Sequence, residues 1–61
     1  MEIHVNGRSY IIDKLEHETD RILSTRIWFI ISCNPTTDID FIDAEKRSII
    51  WYYETYYKMK L

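Results

Sequence analysis

The chain carries one glycine, one proline, one cysteine, one alanine and one valine in 61 residues. Each scarcity excludes something. Cys33, alone, cannot close an intramolecular disulfide, and with no signal-like segment ahead of it a reducing intracellular compartment is expected. Gly7, alone, excludes a glycine-rich phosphate loop, which needs several backbone N–H groups clear of side chains. The longest apolar run, Ile27 to Ile31, falls far short of the roughly 20 residues of a membrane-spanning helix, so no membrane association is expected.

Metal and catalytic groups are equally sparse. His17-Glu18 begins like the zinc motif H-E-x-x-H, but position 21 is arginine and the second ligand is missing. His4, His17 and Cys33 have no ligand spacing. Asp38, Asp40, Asp43 and Glu45 lack the glycine and distal glutamate of a calcium loop and point in different directions on a helix. A serine or cysteine nucleophile needs a base held beside it, which two such separated histidines do not offer. Asn34-Pro35-Thr36 has proline where a glycosylation acceptor forbids it. No catalytic residue, metal or cofactor is expected, and the chain reads as something other than an enzyme.

What is abundant is apolar and aromatic surface, with 46% hydrophobic and 15% aromatic residues. That is too much for disorder and implies a packed core. A domain this short buries only about 60% of its unfolded surface and is marginal unless a disulfide, metal or second subunit supports it. Eleven isoleucines stand against three leucines, a bias toward AT-rich codons that bears on origin. The net charge of −2, from 8 basic and 10 acidic residues, gives no overall attraction to nucleic acid or anionic lipid.

The order of elements follows from local signals. Asn6-Gly7 between apolar segments predicts a hairpin over about 1–12, because both central positions of a type I′ turn need positive φ. It pairs Val5 with Arg8, Ile3 with Tyr10 and Met1 with Ile12 on the core face, with Glu2, His4, Ser9 and Ile11 outside. Asp13 followed by Glu16 reads as a capping box for a first helix over about 14–33, with Thr19 as a later alternative start. Its apolar arc holds Leu15, Ile22, Leu23, Ile27, Phe29, Ile30, Ile31 and Cys33, while Glu18, Arg21, Ser24 and Thr25 lie outside it. Asn34-Pro35 ends this helix. Thr36 or Thr37 caps a second helix over about 38–59, supported by Asp43 to Arg47 and Glu54 to Lys58 at i,i+4 spacing. The expected fold is α+β: a two-stranded antiparallel hairpin followed by an antiparallel helix pair, ββαα, in one domain spanning 1–61.

Two charges interrupt the apolar faces. Arg26 lies within the first arc and Glu45 within the second; a short turn at Pro35 makes facing residue numbers add to about 71, so the two are expected to meet as an interior ion pair. An anion-binding arginine is the alternative. Trp28 lies outside its arc among polar neighbours. In the second helix Tyr52 and Tyr56 face the first helix, whereas Ile39, Ile50, Tyr53 and Tyr57 point away. Tyrosine and tryptophan join apolar area to a polar handle and suit interfaces, so Trp28, Ile39, Ile50, Tyr53 and Tyr57 form the candidate protein interface. Arg21, Lys46, Arg47, Lys58 and Lys60 with the tyrosines are the alternative, a nucleic-acid surface of phosphate contacts and base stacking, although acids interleave with them. The hairpin's open edges add a further place for a second copy to pair.

The stretch Arg26-Ile27-Trp28-Phe29-Ile30, followed by Asn34-Pro35, Ser48 and Trp51, resembles short uncharacterised proteins of nucleocytoplasmic large DNA viruses, which share the Asn-Gly hairpin and the AT-rich bias. The resemblance covers most of the chain and implies viral origin, in host cytoplasm, nucleus or virion, without supplying an activity. Together these features lead to the expectation of a noncatalytic interaction or structural module, a homo-oligomer, such as a dimer, or a component of a larger viral assembly.

Overall fold

The computed structural model describes residues 1–57, and of Tyr56 and Tyr57 the backbone alone. Strands β1 (Glu2–Val5) and β2 (Arg8–Ile11) form a two-stranded antiparallel sheet, followed by helices α1 (Asp20–Ser32) and α2 (Asp38–Tyr52) and a π-helical turn over Tyr53–Tyr57. This is the ββαα architecture. Lys58, Met59 and Lys60, with the Glu54 to Lys58 pairing, lie outside the described residues.

The hairpin turns at Asn6 and Gly7, with φ of 51° and 79°, which satisfies the type I′ requirement. Val5 faces Arg8 and Ile3 faces Tyr10 in the ladder. Met1 and Ile12 extend it by exchanging backbone bonds, 2.9 Å from the Ile12 N–H to the Met1 carbonyl and 2.8 Å from the Met1 amino group to the Ile12 carbonyl. Ile3, Val5 and Ile12 enter the core with Leu23, Ile27, Ile30, Phe41 and Ala44. Met1, placed on the core face by alternation, is exposed at the end of the ladder, outside the cluster that Ile3, Val5 and Ile12 enter. Tyr10 stacks on Phe41 with centroids 3.8 Å apart and planes 8° from parallel, joining sheet to α2.

Threonines open both helices. Thr19 Oγ1 accepts from the Ile22 N–H at 3.2 Å, and Thr37 Oγ1 from the Asp40 N–H at 3.1 Å, each satisfying a donor left over in the first turn. The first helix therefore starts at the later of its two candidate caps, and Asp13 with Glu16 forms no capping box. α1 ends at Cys33, and Asn34 follows with φ of 56°, a left-handed residue of the kind that closes helices. Asn6 Nδ2 donates to the Pro35 carbonyl, tying the hairpin tip to the turn between the helices.

The segment 13–18 folds back along α1 instead of joining it, and the cause is Arg26. Its Nε donates to Glu18 Oε2 at 2.6 Å and its Nη2 to Glu18 Oε1 at 3.2 Å and to the Asp13 carbonyl at 2.9 Å. Glu18 Oε1 also accepts from the Leu15 N–H at 3.0 Å. The side chains are 1% and 0% exposed. This corrects the expected pairing of Arg26 with Glu45: the arginine belongs to Glu18, and Glu45 is half-buried on α2. The helix register differs as well, for Phe29 stacks on Trp51 with centroids 5.6 Å apart, where a sum of 71 sets Ile42 opposite Phe29. Glu18, expected outside the apolar arc, is buried; Ile31 and Cys33, expected within it, are exposed, since α1 covers only the turns that Leu23, Arg26, Ile27 and Ile30 span.

At the other end of the sheet, Asp38 Oδ1 accepts from Tyr10 Oη at 2.6 Å and from Arg8 Nη1 at 2.7 Å. These bonds, the tyrosine's first, hold the Asp38 carboxyl below its ordinary pKa; the same carboxylate holds the Tyr10 phenol above its own.

A domain of this length has roughly 3–9 kcal/mol of stability, and leaving one partner of a buried ion pair alone costs about 3–5 kcal/mol. Arg26→Met is thus largely unfolded by circular dichroism, while Arg26→Met with Glu18→Leu regains most of the helical signal, short of full recovery because the Asp13 carbonyl and Leu15 N–H lose partners. Combining Arg26→Met with Glu45→Leu brings no rescue. For Asp38, a folded pKa below the unfolded one adds stability above the ordinary carboxylate range and loses it as pH falls through the folded value; for Tyr10, a raised pKa adds stability that fades as pH rises above about 10. Asp38→Asn flattens both limbs of a stability-versus-pH curve measured by denaturant melts.

Candidate interaction surface

The five residues expected at an interface do not form one patch. Trp28, 73% exposed, stands on α1 at the rim of a groove of about 510 Å³ between the two helices. Phe29 and Trp51, stacked on each other, form its apolar floor, and Arg21, Ser24, Thr25 and Ser32 complete its α1 side. No hairpin residue lines it.

Helical spacing explains the grouping. Arg21, Thr25, Trp28 and Ser32 follow one another by four, three and four residues, so they run along a single face of α1. The hydroxyls on that face are turned inward: Thr25 Oγ1 donates to the Arg21 carbonyl at 2.9 Å and Ser32 Oγ to the Trp28 carbonyl at 2.8 Å. Each spends its proton on its own helix and leaves oxygen lone pairs facing out. Arg21 makes no ion pair among the described residues, and it is the one formal charge among the described residues that line the groove. The arrangement can hold an apolar group over two rings with an acceptor beside the guanidinium. Arg21, Ser24, Thr25 and Ser32 were missed as interface residues because they are polar, although their spacing from Trp28 was visible in the sequence.

Ile39, Ile50 and Tyr53 lie elsewhere, exposed on the outer face of the second helix and its π-helical continuation. Ile42 and Lys46 share that stripe by their spacing, and Ile42 is exposed as well. The side chain of Tyr57 is outside what the structure describes. Tyr52, expected to face the first helix, is buried.

Among the described residues, the candidate phosphate contacts do not converge. Arg21 sits in the groove, Arg47 pairs with Asp43 at 3.1 Å on α2, and Lys58 and Lys60 lie outside the described residues. The metal candidates are also spread out. Asp38 serves Arg8 and Tyr10, Asp40 accepts from Thr36 Oγ1 at 2.8 Å, and His4 Nδ1 lies 2.9 Å from Ser9 Oγ. Among the described residues no three His, Cys, Asp or Glu side chains gather as a metal site, and no helix is long and apolar enough to cross a membrane.

Comparison of the chain with models of protein families, with curated proteins and with solved structures finds no match.

Proposed function

We propose that this chain is a noncatalytic protein-interaction or structural module that works as a homo-oligomer or docked on a larger assembly. The observation that carries the reading is the apolar surface left open on the helix pair in two places, with Trp28 73% exposed at the α1 groove and Ile39, 78% exposed, followed by Ile42, Ile50 and Tyr53 along the outer stripe of α2. Exposed large apolar side chains grouped in this way on a small domain mark interaction sites. A second subunit also offers the support that a core of this size lacks. The codon bias and the resemblance to short proteins of large DNA viruses support a role in the virion, in viral assembly or in contact with a host protein, inside the host cell or particle.

Light scattering over a concentration series tests the reading. A mass above the monomer is expected and is retained between about 0.1 M and 1 M salt, because apolar association survives screening. A strictly monomeric chain at all concentrations overturns the homo-oligomer. A nucleic-acid-binding protein gives the opposite salt dependence, a mobility shift with DNA or RNA that fades as salt rises.

A further inference from the structure

We infer that the occupant of the α1 groove is a second copy of this chain, seated about a two-fold axis with α1 antiparallel to its partner α1. The inference rests on the proposed homo-oligomer and specifies which surface forms it.

The order of residues along the groove face is the reason. From the helix N-terminus it runs cation, small hydroxyl, large ring, small hydroxyl: Arg21, Thr25, Trp28, Ser32, a stripe about 16 Å long at 1.5 Å per residue. Turned antiparallel on itself, with the axis midway between Thr25 and Trp28, the stripe is self-complementary. Each Trp28 lies over the partner's Thr25 and reaches the Phe29 and Trp51 floor. Each Arg21 arrives at the partner's Ser32, in the last turn of α1. That turn carries no basic side chain, so the negative end of the helix dipole has no cation of its own helix beside it and favours an arriving guanidinium. Ser32 Oγ, its proton committed to the Trp28 carbonyl, meets Arg21 as an acceptor, and arginine is a donor only. A parallel pairing sets Trp28 against Trp28 and Arg21 against Arg21, ring over ring and charge against like charge.

The outer stripe of α2 is not self-complementary in this way. Paired antiparallel with itself it sets Ile39 by Tyr53 and Ile42 by Ile50, which leaves Lys46 facing Lys46 on the axis. The α1 face has no such conflict, and a two-fold contact of this kind closes after two copies.

Sedimentation equilibrium on the full chain tests the proposal, with circular dichroism confirming the fold of each variant. All the substituted side chains are exposed, so folding is retained. The wild type is expected to be a dimer; Trp28→Ala, which removes the ring, and Thr25→Trp, which fills its seat, weaken it by about tenfold or more; Ile50→Ser on the outer stripe leaves it unchanged. In a Cys33→Ser background, Arg21→Cys with Ser32→Cys forms interchain disulfides under oxidation, since only the antiparallel seating brings those positions from two copies together. A dimer that survives Trp28→Ala and Thr25→Trp, or one lost on Ile50→Ser, overturns the seating while leaving the homo-oligomer standing. A dimer without the cross-link overturns it in the same way. A monomeric wild type overturns both.

Discussion

The Arg26 and Glu18 pair is the constraint around which this small domain is arranged. Burying a guanidinium and a carboxylate costs several kcal/mol each unless they meet with good geometry and their remaining hydrogen-bonding capacity is used. Here two nitrogens of Arg26 reach both oxygens of Glu18, and the backbone of Asp13 and Leu15 takes up more of that capacity. The segment between sheet and helix must therefore stay out of the helix so that Glu18 can turn inward. The late start of α1 and the turn before Glu18, where His17 takes a φ of 66°, follow from that requirement. In a chain with no second cysteine, an ion pair does the work of joining a connecting segment to the core.

The parts of the fold that were legible in the sequence are those decided within a few residues. Asn6-Gly7 dictates both the turn and its register, so every expected cross-strand pair is present. Asn34-Pro35 and Thr37 bound the helices for equally local reasons. The partner of Arg26 was not legible, because two carboxylates, Glu18 and Glu45, lay within reach of different but reasonable backbones. The choice depended on whether Asp13 or Thr19 opened the first helix. Propensity alone does not separate those caps; the buried arginine does. Once α1 is shortened, Glu18 leaves the helical phase that had placed it outside the apolar arc.

The candidate surface was legible in its members but not in its grouping. Trp28, Ile39, Ile50 and Tyr53 are exposed as their positions suggested, yet they divide between a groove at α1 and a stripe along α2. The division arises because Phe29 and Trp51 stack across the helix pair and create a concave apolar floor beside Trp28, away from the α2 stripe. Of the polar residues around that floor, Arg21 stands out in the sequence only as a candidate phosphate contact, and Ser24, Thr25 and Ser32 share the helical spacing of Trp28 without differing from an ordinary solvated face.

Asn6 has one further consequence. Its backbone supplies a positive φ for the hairpin while its side chain donates to the carbonyl of Pro35, 29 residues away. Glycine at that position would suit the turn equally well, for it enters the left-handed region at little steric cost, but would release the hairpin tip from the turn between the helices. The tip is thus barred from a substitution that its own geometry permits, and drift at residue 6 is governed by a distant turn rather than by the hairpin it belongs to.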